Sequence, residues 1–234
     1  MKKITEIDPQ TAAEQVIPKL FTYGCSYTYG HGLEDCIIRK VDPGHNPSKL
    51  GYAALVAQHL NANELLNYSR PGTSNKWIVH AINVTVESQQ IAKNDAVIIQ
   101  WTFLDRSCIL RKGSHRNLDK YDALGSWMAD EKRSLSQAYY KHFHDTYDNI
   151  HVTSWYIKYV DLLLKSHGIT KILHTAPPDR KKDITAYLPD TIKWWDDNIS
   201  RNRIDTALDR HHPGPKSQKL YADKLFKEHG DYLT

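Results

Sequence analysis

Residues 95–102, DAVIIQWT, form a nearly unbroken apolar run. Such a run is the mark of a strand buried on both faces, and both faces then need cover. The surrounding sequence supplies it. Short apolar runs at 18–24 (PKLFTYG), 64–69 (ELLNYS) and 169–175 (ITKILHT) alternate with helical patterns. Helices are expected over 48–60, with Ser48 as N-cap, and over 74–90, where Trp77, Ile78, Ala81, Ile82 and Thr85 share a face. Residues 134–166 read as mostly helical, broken near Asp148-Asn149 and ending at His167-Gly168. A last helix opens on Pro215 and stops near Gly230, with Leu220, Tyr221 and Leu225 facing inward. Alternation of this kind implies an α/β fold: one mostly parallel sheet with helices on both faces, a three-layer sandwich. No linker, repeat or low-complexity stretch interrupts it, so 1–234 is read as a single domain. Residues 103–133 are polar and irregular. The span 103–150 is expected to insert as a lid or rim, and 176–203 reads as irregular.

Composition excludes several classes. The chain is 40% hydrophobic and 25% charged, with net charge +4, ordinary for a globular domain. No apolar run is long enough to span a bilayer. MKKITEIDPQ has two lysines but no apolar stretch behind them, so no secretory signal peptide is expected. Three cysteines, Cys25, Cys36 and Cys108, make an odd set that suits free thiols in a reducing, cytoplasmic setting. No block of like charge suggests a nucleic-acid partner.

Ligands of open α/β sheets bind beyond the carboxyl ends of the strands, and three loops are notable. The first, Gly24-Cys25-Ser26-Tyr27-Thr28-Tyr29-Gly30-His31-Gly32, places a serine two residues past a strand-ending glycine. The second, Asn67 to Asn75, presents the Gly72 N–H ahead of a helix start, where the dipole favours an oxyanion. The third, Asp209-Arg210-His211-His212-Pro213-Gly214, spaces an Asp three residues before a His. The carboxylate can reach Nδ1 and leave Nε2 free as a base. Each loop alone also reads as an ordinary turn or cap.

Taken in order, the three blocks resemble the GDSL/SGNH hydrolase family. Gly24-Cys25-Ser26 stands for Gly-Asp-Ser, Asn67 and Gly72 match the second block, and Asp209, His212 and Pro213 match Asp-x-x-His-Pro. The likeness runs from residue 18 to about residue 228, and GCSYTYG is most similar to divergent bacterial and phage-encoded members. It implies a flavodoxin-like SGNH hydrolase fold and a serine esterase that needs no cofactor or metal. Ser26 would be nucleophile, His212 base and Asp209 its orienting partner. The N–H groups of Ser26 and Gly72 would hold the oxyanion. Two departures stand out. Cys25 replaces the family's Asp. The third block, Gly-x-Asn, should fall at 100–102, where this chain has Gln100-Trp101-Thr102. Either Thr102 fills the place of the oxyanion asparagine, or a neighbour such as Asn75 reaches in, or the enzyme is slow. Asn75, Trp101 and Arg106 are candidate substrate contacts.

The rivals are a Cys25–His212 hydrolase, a metal site at His142, His144 and His151, and a carbohydrate-binding module on a decayed hydrolase. The last would stack sugars on Trp101, Trp127, Trp155, Trp194 and Trp195. Acyl transfer would use the same acyl-enzyme as hydrolysis. The implied partner is a small-molecule or glycan ester. The polar and aromatic character of Arg106, Arg111, His115, Tyr121 and Trp127 tilts toward an acetylated sugar.

Overall fold

A computed structural model describes residues 17–39, 42–43, 46–115, 117–179 and 181–234. The segment MKKITEIDPQ lies outside them. In chain order the elements are β1 (Lys19–Tyr23), α1 (Ser26–Tyr29), β2 (Ile37–Arg39), β3 (Asp42–Pro43), α2 (Tyr52–His59), β4 (Glu64–Asn67), α3 (Asn75–Glu87) and β5 (Ala96–Gln100). There follow β6 (Ser107–Leu110), β7 (Tyr121–Leu124), α4 (Ser126–Asp130), α5 (Ser134–His142), α6 (Thr146–Ser166), β8 (Lys171–Thr175), α7 (Lys181–Thr185), β9 (Trp194–Trp195), a 3-10 turn at Ile199–Asn202, and α8 (Pro215–Leu233).

The main sheet has the order β4-β1-β5-β8-β9, every pair parallel. The apolar run at β5 explains the layering. Val97 and Ile99 point into one core with Phe21, Trp77, Ile157 and Ile172, beneath α3 and α6. Ala96 and Ile98 point into the other with Leu20, Tyr52, Leu173 and Tyr221, beneath α2 and α8. Side chains alternate across a strand, so a strand walled on both sides must be apolar at every position. The chain leaves β1 for β4 on one side and returns to β5 on the other. That reversal opens a crevice beyond the carboxyl ends of β1 and β5.

Several elements differ from the sequence reading. Helix α2 starts after Gly51, not Ser48. The Ser48 hydroxyl donates instead to Asp35 Oδ1 at 2.5 Å. The break in 134–166 falls at Phe143–Asp145, because Asp145 caps α6 by accepting from the Asp148 N–H at 2.8 Å. Asp148 sits in the first turn of α6, where an acid favours the helix dipole. Helix α6 begins at Thr146 and buries Ile150, inside the end of the 103–150 span. Helix α8 continues through Gly230 to Leu233; a Cβ at Gly230 would stand 2.9 Å from the Phe226 ring. Residues 103–133 are not irregular. β6 and β7 pair as an antiparallel hairpin, and it lies on α3, with Trp77 Nε1 donating to Leu118 O at 3.1 Å. β9, inside the stretch read as irregular, is a fifth strand two residues long.

Candidate active site

Ser26 opens the one-turn helix α1, directly past β1. Gly24 permits this turn: a Cβ there would fall 2.1 Å from Thr28 Oγ1. Gly30, at φ +75, closes α1 with a left-handed cap. The second loop is tied to the first. Asn67 Nδ2 donates to Thr28 O at 3.1 Å, and the Arg70 N–H donates to Gly24 O at 3.1 Å. Gly72 lies in the left-handed region, φ +73.

The third loop is a rigid hairpin. Thr206 bridges Pro213, and the Ala207 N–H donates to His212 O at 2.9 Å. Asp205 caps the following helix, accepting from the Lys216 and Ser217 N–H groups. Within this frame Asp209 Oδ1 accepts from the backbone N–H of His211 and His212, at 2.9 and 3.0 Å. Asp209 Oδ2 lies 2.5 Å from His212 Nδ1. The carboxylate therefore faces His212, not the ring of His211. Burial alone would raise the Asp209 pKa, but these bonds outweigh it and hold the group below the usual carboxylate range. Burial lowers the His212 pKa. Asp209 opposes that shift, while His31 and Arg106 add to it. His212 is thus a neutral imidazole at neutral pH, with Nδ1 occupied and Nε2 available.

The first and third loops meet at this imidazole. Tyr27 and His31 set ring edges against His212, with centroids 5.6 and 4.8 Å away. The Leu208 N–H donates to Gly32 O at 3.0 Å. Gly32 is required here: at φ +87, a Cβ would fall 2.6 Å from the Asp209 carboxyl carbon. Ser26, 4% exposed, lies between Gly24 and these two ring contacts in sequence. Among the described residues no hydrogen bond joins Ser26 Oγ to His212 Nε2; catalytic hydrogen bonds commonly tighten only when substrate binds.

The strand exit past β5 is built differently. Thr102 is fully buried past β5, and both its backbone groups bond to Asn75. Asn75 Oδ1 accepts from the Thr102 N–H at 2.8 Å, and Nδ2 donates to Thr102 O at 3.1 Å and Thr153 Oγ1 at 3.3 Å. Both Asn75 amide protons are therefore used, and Asn75 clamps the strand exit instead of reaching for substrate. Trp101 is also not a substrate contact. It is wholly buried in the α3/α6 core, its indole N–H donating to His174 Nδ1 at 3.2 Å. Arg106 donates from Nη1 to Thr102 Oγ1 at 3.2 Å. Its guanidinium lies over the rings of Phe103 and Trp127, 4.4 and 4.9 Å from their centroids. Phe103 in turn touches Tyr27.

His31 and Gly32 carried no role in the sequence reading. The available signal was a histidine bracketed by Gly30 and Gly32 directly behind the serine turn. His31, Asp209 and His212 place donor atoms within 4.8 Å of one another. The Asp209 oxygens are already bonded to three N–H groups, which suits an orienting carboxylate better than a metal ligand. The tryptophans do not form one stacking surface: Trp101 and Trp195 lie in the cores on opposite faces of the sheet. Cys25, Cys36 and Cys108 are free and buried, and Cys25 is 1% exposed.

The fold has solved relatives. An acetyl xylan esterase, Est2A, from Butyrivibrio proteoclasticus superposes with TM-score 0.54 at 17% identity, over 91% of this chain and 64% of that one. A carbohydrate esterase family 2 enzyme with a carbohydrate-binding domain, from Corynascus thermopiles (Myceliophthora fergusii), gives 0.55 at 11%, over 92% and 66%. LAE5, an α/β hydrolase from the metagenome of Lake Arreo, gives 0.51 at 15%, over 93% and 97%. The chain has the SGNH hydrolase fold. It spans just under two thirds of the length of the first two of these proteins. No protein-family model matches the sequence, and no curated protein matches it. Among the described residues no helix is long and apolar enough to cross a membrane.

Proposed function

We propose that this protein is a serine esterase that acts through an acyl-Ser26 intermediate. The observation that carries the reading is the 2.5 Å contact between Asp209 Oδ2 and His212 Nδ1, at the crevice where the Ser26 turn meets the same imidazole. Ser26 Oγ attacks the ester carbonyl and its proton passes to His212 Nε2. The carbonyl electron pair moves onto oxygen, where the N–H groups of Ser26 and Gly72 and the Thr102 hydroxyl hold it. The tetrahedral species collapses and expels the alcohol, which takes the proton from His212. Water, activated by the same base, then releases the acid. Asp209 fixes the tautomer and balances the imidazolium.

The substrate is a short acyl ester of a polar alcohol, such as an O-acetyl sugar. Tyr27, Phe103, Arg106 and Trp127 border the crevice, a polar and aromatic rim instead of an apolar tunnel. Phe103, Arg106 and Trp127 all come from the segment after β5 that is read as a rim. The folds shared with an acetyl xylan esterase and a carbohydrate esterase agree with this class. The test is a series of esters of increasing acyl length beside an O-acetylated polysaccharide. Acetyl esters should be the preferred substrates. Ser26→Ala and His212→Ala should each remove most activity, and the double variant should be little worse. A Ser26→Ala protein with full activity would overturn the mechanism, and a preference for long acyl chains would overturn the substrate class.

A further inference from the structure

The rebuilt third block leaves a chemical gap, because a threonine hydroxyl offers one movable donor where the family has an amide. Arg106 stands beside that gap. Its Nη1–H donates to Thr102 Oγ1 at 3.2 Å. A hydroxyl that accepts one bond still has its own proton to give, and the Asn75 clamp fixes where Thr102 stands. None of the ion pairs among the described residues involves Arg106. Phe103 and Trp127 hold its guanidinium over their rings, and its charge is felt at the Asp179 carboxyl as well. A chain of contacts links that placement to the Ser26 turn and His212. Trp127 lies 3.8 Å from where a Gly72 Cβ would stand, Phe103 touches Tyr27, and Tyr27 touches His212. The positive charge of Arg106 is also felt at His212.

Resting on the esterase reading above, we propose that Arg106 is a catalytic residue: its guanidinium and the hydroxyl it polarises on Thr102 jointly stabilise the oxyanion, replacing the missing asparagine. As Ser26 Oγ bonds to carbon, the carbonyl π pair becomes a full charge on oxygen. A cation already held in place by two rings meets that charge without reorganising. The proton stays on the Ser26-to-His212 path; Arg106 keeps all of its own protons throughout.

The test compares Arg106→Ala, Arg106→Lys and Thr102→Val on a neutral ester, p-nitrophenyl acetate, and on an anionic one, p-nitrophenyl hemisuccinate. Ser26→Ala is assayed beside them. On the neutral ester Arg106→Ala should lower kcat by about 10²–10³-fold, the loss expected for one oxyanion donor, with KM little changed. Arg106→Lys should recover part of it. Thr102→Val should lose less, and the double variant should be little worse than Arg106→Ala. The acid limb of kcat/KM should move to higher pH in Arg106→Ala, because a charge opposing His212 protonation is gone. A purely structural residue would not move that limb. If Arg106→Ala does not fold, Arg106→Gln, which keeps the stem, replaces it. An unchanged kcat on the neutral ester overturns the inference, as does a loss confined to KM on the anionic ester, which would make Arg106 a receptor for substrate charge. If Ser26→Ala keeps full activity, the esterase reading fails and the inference fails with it.

Discussion

The two walls of the crevice are held by different means. On the side of the proposed base, both carboxylate oxygens of Asp209 and the Nδ1 of His212 are bonded within one loop of ten residues, 205–214, itself pinned by a bridge and by the cap of α8. On the side proposed for the oxyanion, Asn75 comes from α3, Trp127 from α4, and Thr102 and Arg106 from the one connection between β5 and β6. One amide clamp and two ring contacts hold them. The proposed base is therefore held by local chain geometry, and the proposed oxyanion pocket by long-range packing. Damage to the first should appear as lost chemistry, and damage to the second as lost chemistry mixed with lost stability.

The largest separating effect should come from Asp209→Asn. The amide preserves shape but favours the wrong imidazole tautomer, and kcat should fall about 10⁴-fold with the melting temperature little altered. The wild-type pH profile belongs to the same wall. A general base must be neutral, and burial lowers the His212 pKa. Activity should therefore persist below the usual histidine range, disappearing as pH falls through the lowered value. An acid limb above that range in kcat/KM would contradict the assignment.

Next comes Gly32→Ala, where the added Cβ would overlap the Asp209 carboxylate. Displacing that group by about 1 Å is expected to reduce kcat about 10²-fold. Ala elsewhere on the same loop, at exposed Glu34, should have no such effect.

On the other wall, Asn75→Ala removes three hydrogen bonds and leaves the buried Thr102 N–H and C=O unpaired. It should destabilise the fold by roughly 1–3 kcal/mol and lower kcat together, read by thermal melting beside kinetics. A change in kcat without any change in stability would mean that Asn75 acts on substrate after all.

The same contrast governs what was legible in the sequence. The parallel sheet could be read because β1, β4, β5 and β8 are apolar runs whose burial follows from period and length. The Asp209–His212 pair could be read because a spacing of three residues is local. The oxyanion wall could not. Nothing in the order of residues says that Asn75 turns toward Thr102 O, or that Trp101 points into the α3/α6 core. Arg106 was a candidate substrate contact, but its hydrogen bond to Thr102 depends on a turn after β5 that no pattern marks. β9 escaped because two residues carry no periodicity, and the β6–β7 hairpin because its buried residues, such as Cys108 and Leu124, are too sparse to alternate visibly. The sequence pattern puts the helix break three residues late, since Asp148 looks like a breaker but serves as a first-turn acid behind the Asp145 cap.

The central claim is that Ser26 is the nucleophile activated by His212. The direct measurement is labelling with a fluorophosphonate, followed by proteolysis and mass spectrometry of the modified peptide. The expected result is a single adduct on Ser26, formed much more slowly in His212→Ala and absent in Ser26→Ala. An adduct on Cys25 or any other residue, or labelling that proceeds at the same rate without His212, would contradict it.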